Sequence, residues 1–162
     1  MIMKKKLILR IIFSAITLSI MLFVFLNSSK NAVQSSEISM SFTEKLFSAI
    51  VPDYNTMTPT QQFSLISGAQ FVIRKSAHFI TYFFMGLFCM LAVNTYGLKA
   101  KIKALYASLI CIGFSITDET HQIFVPGRSG EIRDILIDSV GILLAVAIVF
   151  IFIRERKMKD EW

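Results

Sequence analysis

The side chains in this chain that could do chemistry fall into short groups at helical spacing: Arg74, Lys75 and His78; Asp118, Glu119, His121 and Gln122; Arg128; then Asp134 and Asp138. Arg74 and His78, Asp118 and Gln122, and Asp134 and Asp138 are each one helical turn apart, so both members of each pair project from one face of a helix. Three chemistries fit such a set. The guanidiniums of Arg74 and Arg128 could neutralise a phosphate or carboxylate, with Glu119 or His121 beside them as a base for hydrolysis or group transfer. The same groups could bind an anionic, lipid-bearing ligand without turnover, with Phe79, Tyr82 and Phe124 meeting its apolar part. Or Asp118, Glu119, Asp134 and Asp138 could simply pair with Arg74, Lys75, Arg128 and Arg133 and clamp helices together.

Other readings are weaker. Glu119 and His121 are two residues apart and point to different sides of a helix, and there is no His-Glu-x-x-His or Cys-x-x-Cys spacing, so no bound metal is expected. No serine or cysteine sits in a nucleophile motif, and no cofactor is implied. Asp134 is explained in part by its place at a helix start, Pro126-Gly127 by a tight turn, and Arg133 by solvation.

The elements that must position these groups are apolar. Of the 162 residues, 54% are hydrophobic, and the mean hydropathy is positive. Residues 7–26, 74–95, 102–122 and 132–153 each approach the roughly twenty residues that a spanning helix needs, the third only if the helix continues through Asp118–Gln122. The expected fold is a single all-α integral membrane domain with four transmembrane helices. The segment after residue 26 is a poor cleavage site, so the first helix is read as retained, with Arg10 able to snorkel to its end.

Between the first two spans lies a long polar segment with two helix-start signals. Ser41-Phe42-Thr43-Glu44 fits a capping box, followed by Phe42, Leu46, Phe47, Ile50 and Val51 at helical spacing and a stop at Pro52. Thr58-Pro59-Thr60-Gln61 is the second start, with Gly68 as a possible break before Arg74. Short amphipathic helices lying on the membrane surface are expected here.

The net charge of +6 does not point to nucleic acid, because the basic residues flank apolar runs and form no aromatic-interleaved groove. Eleven of the 17 lysines and arginines lie before or in the first turn of the first span, between the second and third spans or in the first turn of the third, or after the fourth. By the positive-inside rule these mark the cytoplasm, which puts both termini inside and the loop between spans one and two, with the polar groups, outside. Cys89 and Cys111 lie within apolar runs and imply no disulfide framework.

Arg74-Lys75-Ser76-Ala77-His78-Phe79 with Tyr82, Asp118-Glu119-Thr120-His121-Gln122, Phe124-Val125-Pro126-Gly127-Arg128, Asp134 and Gly141 together resemble the motif set of the VanZ-like family. The resemblance is close from about residue 71 to 149. It implies a polytopic protein of the bacterial plasma membrane that lowers susceptibility to teicoplanin, a lipoglycopeptide, more than to vancomycin. Partners implied are the lipid bilayer and an envelope lipid, a peptidoglycan precursor or the lipoglycopeptide itself. The chain departs from the family at two places: Thr81 stands where glutamate is usual, and Asp138 where asparagine is frequent. A carboxylate is thereby exchanged between the second and fourth spans.

Overall fold

A computed structural model of the protein describes residues 2–160, with side chains from 3 to 154; the charged tail at residues 155–161, counted above in the charge bias, lies outside the described side chains. The described residues form five α-helices and one 3-10 turn: α1 Ile2–Ser28, α2 Ala32–Ile50, the turn Tyr54–Thr56, α3 Pro59–Asn94, α4 Ala100–Gln122 and α5 Ile132–Asp160. Four of them, α1, α3, α4 and α5, are long and apolar enough to cross a membrane. They correspond to the four expected spans, and α4 does run on through Asp118 to Gln122.

The segment between the first two spans differs from expectation. α2 begins ten residues earlier than the Ser41 signal: Asn31 is its N-cap, accepting from the Gln34 amide while the Gln34 side chain accepts from the Asn31 amide at 3.3 Å. Ser41-Phe42-Thr43-Glu44 satisfies the same pattern but lies inside the helix, because nothing before Pro52 interrupts it. Thr58 caps α3 as expected, with Pro59 in the first turn and Gln61 closing the box. Gly68 does not break that helix, and no neighbour lies within 4 Å of where its Cβ would stand. The second loop helix and the second span are therefore one helix of 36 residues. At 1.5 Å per residue it is about 54 Å long, against a hydrocarbon core of about 30 Å, so its first turns project beyond the apolar layer. α2 packs on this projecting part, where Ser39 and Thr43 hydroxyls donate to the Gln70 side chain at 2.9 and 3.3 Å. Phe42 and Ile50, read as part of an apolar face, are exposed on the outside of the fold.

The centre of the bundle is the pair α3 and α5, which run parallel: Lys75 meets Asp134, Phe79 lies on Gly141, and Gly86 lies on Ile142. Two glycines allow the approach. A Cβ on Gly141 would stand 2.6 Å from the Phe79 carbonyl oxygen, and one on Gly86 would stand 3.0 Å from the Ile142 backbone. Around this contact Tyr82, Met85, Cys89, Met90, Ala107, Cys111, Ile142 and Val146 form the buried core, with Val24 closing it from α1. Exposed leucines, isoleucines and phenylalanines cover the outside of the spans, as in helices solvated by acyl chains.

Candidate functional site

Three stripes of polar residues meet at the end of the bundle where α4 finishes and α5 begins. On α4 the stripe is Ser115, Asp118, Glu119 and Gln122, all buried; on α3 it is Lys75, His78 and Tyr82; on α5 it is Asp134 and Asp138. These spacings of three, four and seven keep each stripe on one face.

The α4 stripe is bonded through its amide. Gln122 Nε2 donates to Asp118 Oδ2 at 3.2 Å and to Glu119 Oε1 at 3.0 Å. The Tyr82 hydroxyl donates to Asp118 Oδ2 at 3.2 Å, and the Glu131 amide donates to Glu119 Oε2 at 3.1 Å. Arg128 Nη2 then donates to Gln122 Oε1 at 2.6 Å. The turn that delivers Arg128 is the expected one: Gly127 has φ +74° and the Arg128 amide bonds to the Val125 carbonyl at 3.1 Å. Gly130 lets the chain pass close to α4, since a Cβ there would stand 2.5 Å from the Glu119 carbonyl oxygen.

Between α3 and α5, Lys75 is ion-paired and hydrogen-bonded to Asp134 and lies 3.8 Å from Glu131, which also pairs with Arg133 at 2.7 Å. Deeper in, His78 Nδ1 lies 3.5 Å from Asp138 Oδ1, too long for a charge-assisted hydrogen bond. Ser115 Oγ donates to Asp138 Oδ2 at 2.9 Å. Asp118 Oδ1, Asp138 Oδ1 and His78 Nδ1 are buried without a hydrogen-bond partner.

Two residues from the expected set stand apart from this network. His121 points towards α1, with Nε2 3.3 Å from Ser29 Oγ and its ring 5.0 Å from that of Phe25. Arg74 is exposed and, among the described residues, has no carboxylate within ion-pair distance. It lies beside Arg128, whose pKa is pulled below its ordinary value by burial and then by the Arg74 charge, with Glu119 and Asp118 opposing. Arg128 has no carboxylate pair among the described residues either; its bonds go to Gln122 and Ser35.

These two guanidiniums separate two cavities. One, of about 360 Å³, is mostly apolar and runs between α1, α2 and α3 past Phe23, Val24, Ile38, Phe42 and Ile73, with Thr81 and His78 in its wall. The other, of about 400 Å³, is polar and lies over Gln70, Lys75, Gln122, Glu131 and Asp134. Ser35, Arg74 and Arg128 line both. Phe79 and Phe124, expected on the apolar side, line neither; Phe79 backs Gly141 and Phe124 is exposed. Ser115 and Glu131 were not expected in the site. Ser115 was within reach of the spacing argument, three residues before Asp118 on the same face, whereas Glu131 enters through its backbone amide and an ion pair across the loop.

The arrangement defines a class: a polytopic helical membrane bundle with its buried carboxylates gathered at one end. Within that class the chain belongs to the VanZ/LLP1 family, whose family model matches residues 13–153. No curated protein and no solved structure matches the chain.

Proposed function

We propose that this protein works at the outer face of the bacterial plasma membrane. There it binds an anionic, lipid-bearing component of the envelope, such as an envelope lipid, a peptidoglycan precursor or a lipoglycopeptide. Binding lowers susceptibility to teicoplanin-type antibiotics. The observation that carries this reading is the pair Arg74 and Arg128: two adjacent guanidiniums with no carboxylate partner among the described residues, between an apolar cavity and a polar one. An acyl chain fits the first, and a phosphate or carboxylate headgroup fits the boundary.

Arg74→Gln is the direct test, since it removes a charge without orphaning a partner. In a deletion strain, wild type restores teicoplanin tolerance and Arg74→Gln at equal membrane abundance does not. Equal tolerance with both constructs overturns the anion-binding reading. Glu119→Gln separates binding from catalysis by a membrane-embedded hydrolase or transferase using Asp118, Glu119 and His121, because a lost base abolishes the effect whereas a lost contact grades it. Sidedness is read with single cysteines at Thr56, Lys101 and Ser129 in a chain lacking Cys89 and Cys111. An impermeant thiol reagent applied to intact cells should label the first and third; labelling at Lys101 would reverse the topology.

A further inference from the structure

We propose that His78, Glu119 and Asp138 hold one divalent transition-metal ion of the zinc or manganese type. The three side chains come from α3, α4 and α5, and one ligand-capable atom of each lies within 4.8 Å of the others. The separation of His78 Nδ1 from Asp138 Oδ1 is 3.5 Å; two donors on a tetrahedral ion, at metal–ligand distances of about 2.1 Å, stand about 3.4 Å apart. Both atoms are buried without a hydrogen-bond partner, and the Asp138 side chain is 0% exposed. Buried polar atoms are ordinarily hydrogen-bonded, so two that face each other at ion-pair distance without a hydrogen bond mark a place for a third group.

The charge balance points the same way. Asp118, Glu119 and Asp138 are buried, and among the described residues no lysine or arginine lies within ion-pair distance of any of them. Lys75 is committed to Asp134 and Glu131, and Arg128 bonds to an amide oxygen. One imidazole does not offset three buried carboxylates; a divalent cation does.

The supports that orient metal ligands are also in place. Ser115 holds Asp138 by Oδ2 and leaves Oδ1 open. Gln122 and the Glu131 amide hold the two oxygens of Glu119, each of which keeps a second lone pair. A mixed imidazole and carboxylate set suits zinc or manganese. Three protein ligands leave at least one position free, and His78 also lines the apolar cavity, so that position can be reached from there. The site was not visible as a sequence motif because its ligands sit on three separate helices. It is independent of the ligand reading above: the ion binds whether or not the cavity takes a lipid.

The test is metal binding by the full chain, purified in detergent, stripped with chelator and shown to remain helical. Zinc, manganese or cobalt is then added, with the bound ion counted per chain and cobalt read by its visible absorption. The expected result is one ion per chain. His78→Gln and Asp138→Asn should weaken binding by about a hundredfold, and Ser115→Ala, which removes an outer support, by about tenfold. His121→Gln, facing α1, should bind as wild type does. A helical, stripped wild-type chain that takes up none of the three ions overturns the proposal whatever the variants do. Equal losses from His121→Gln and His78→Gln overturn the ligand assignment.

Discussion

The two ends of the bundle handle charge in opposite ways. Where α3 ends and α4 begins, cations are satisfied by groups at the helix end: Arg10 Nε donates to the Thr95 hydroxyl at 3.0 Å and its guanidinium lies 3.8 Å over the Tyr96 ring. Lys103 donates to the Asn94 carbonyl and side chain at 3.1 and 2.9 Å. These groups terminate helices, as basic side chains at C-terminal carbonyls do. At the other end carboxylates from α4 and α5 are drawn into the interior beside Lys75 and His78 of α3, next to two cavities and two guanidiniums that have no carboxylate pair among the described residues. A cation that caps a helix needs only the polar groups at that helix end, near in sequence as for Lys103 and Asn94 or far away as for Arg10 and Thr95. Carboxylates sunk between helices have more acceptor atoms than those helices supply donors, and Asp118 Oδ1 and Asp138 Oδ1 are left without a hydrogen bond. The first arrangement makes an end; the second makes a site.

That contrast is broken most severely by separating α3 from α5. Gly141→Leu forces a side chain against the Phe79 carbonyl, and overpacking of this kind should cost about 3 kcal/mol and abolish accumulation or function together, as seen in membrane abundance and thermal unfolding. Lys75→Met leaves Asp134 and Glu131 without their shared cation. With Lys75 still 18% exposed, the loss should be about 2 kcal/mol in unfolding midpoints, below that of a fully buried pair. Arg10→Ala, at the opposite end, should cost about 1 kcal/mol and leave teicoplanin tolerance at the wild-type level once abundance is matched. A change in tolerance there would mean the two ends are not separable. The smallest effects lie in α2, where Asn31→Ala should cost about 1 kcal/mol as a lost N-cap and Ser41→Ala less than about 0.5 kcal/mol.

Much of this was legible in the sequence, for identifiable reasons. Apolar run length located the four spans, and the Thr58-Pro59-Thr60-Gln61 cap was read correctly because proline restricts where a helix can begin. Spacing of three and four brought Lys75, His78, Asp118, Glu119, Gln122, Asp134 and Asp138 towards one end. The α2 start was misplaced because two capping patterns compete within ten residues, and local sequence does not say which one a helix uses. Continuity through Gly68 was not legible because a glycine costs about 1 kcal/mol in a helix, which weakens a helix locally without ending it. The position of His121 followed from its rotation relative to Glu119, but what it would touch on α1 did not. The triad of His78, Glu119 and Asp138 was invisible because no spacing rule joins three helices.

The parallel pairing of α3 with α5 has a consequence for how the protein is made. The two helices are separated in the chain by all of α4, so Lys75 and His78 are synthesised long before Asp134 and Asp138. Until the last span has entered the membrane, the second one carries cations with no counterpart. The site is therefore completed last, and a chain interrupted before α5 would hold its basic residues unmatched at the bilayer edge.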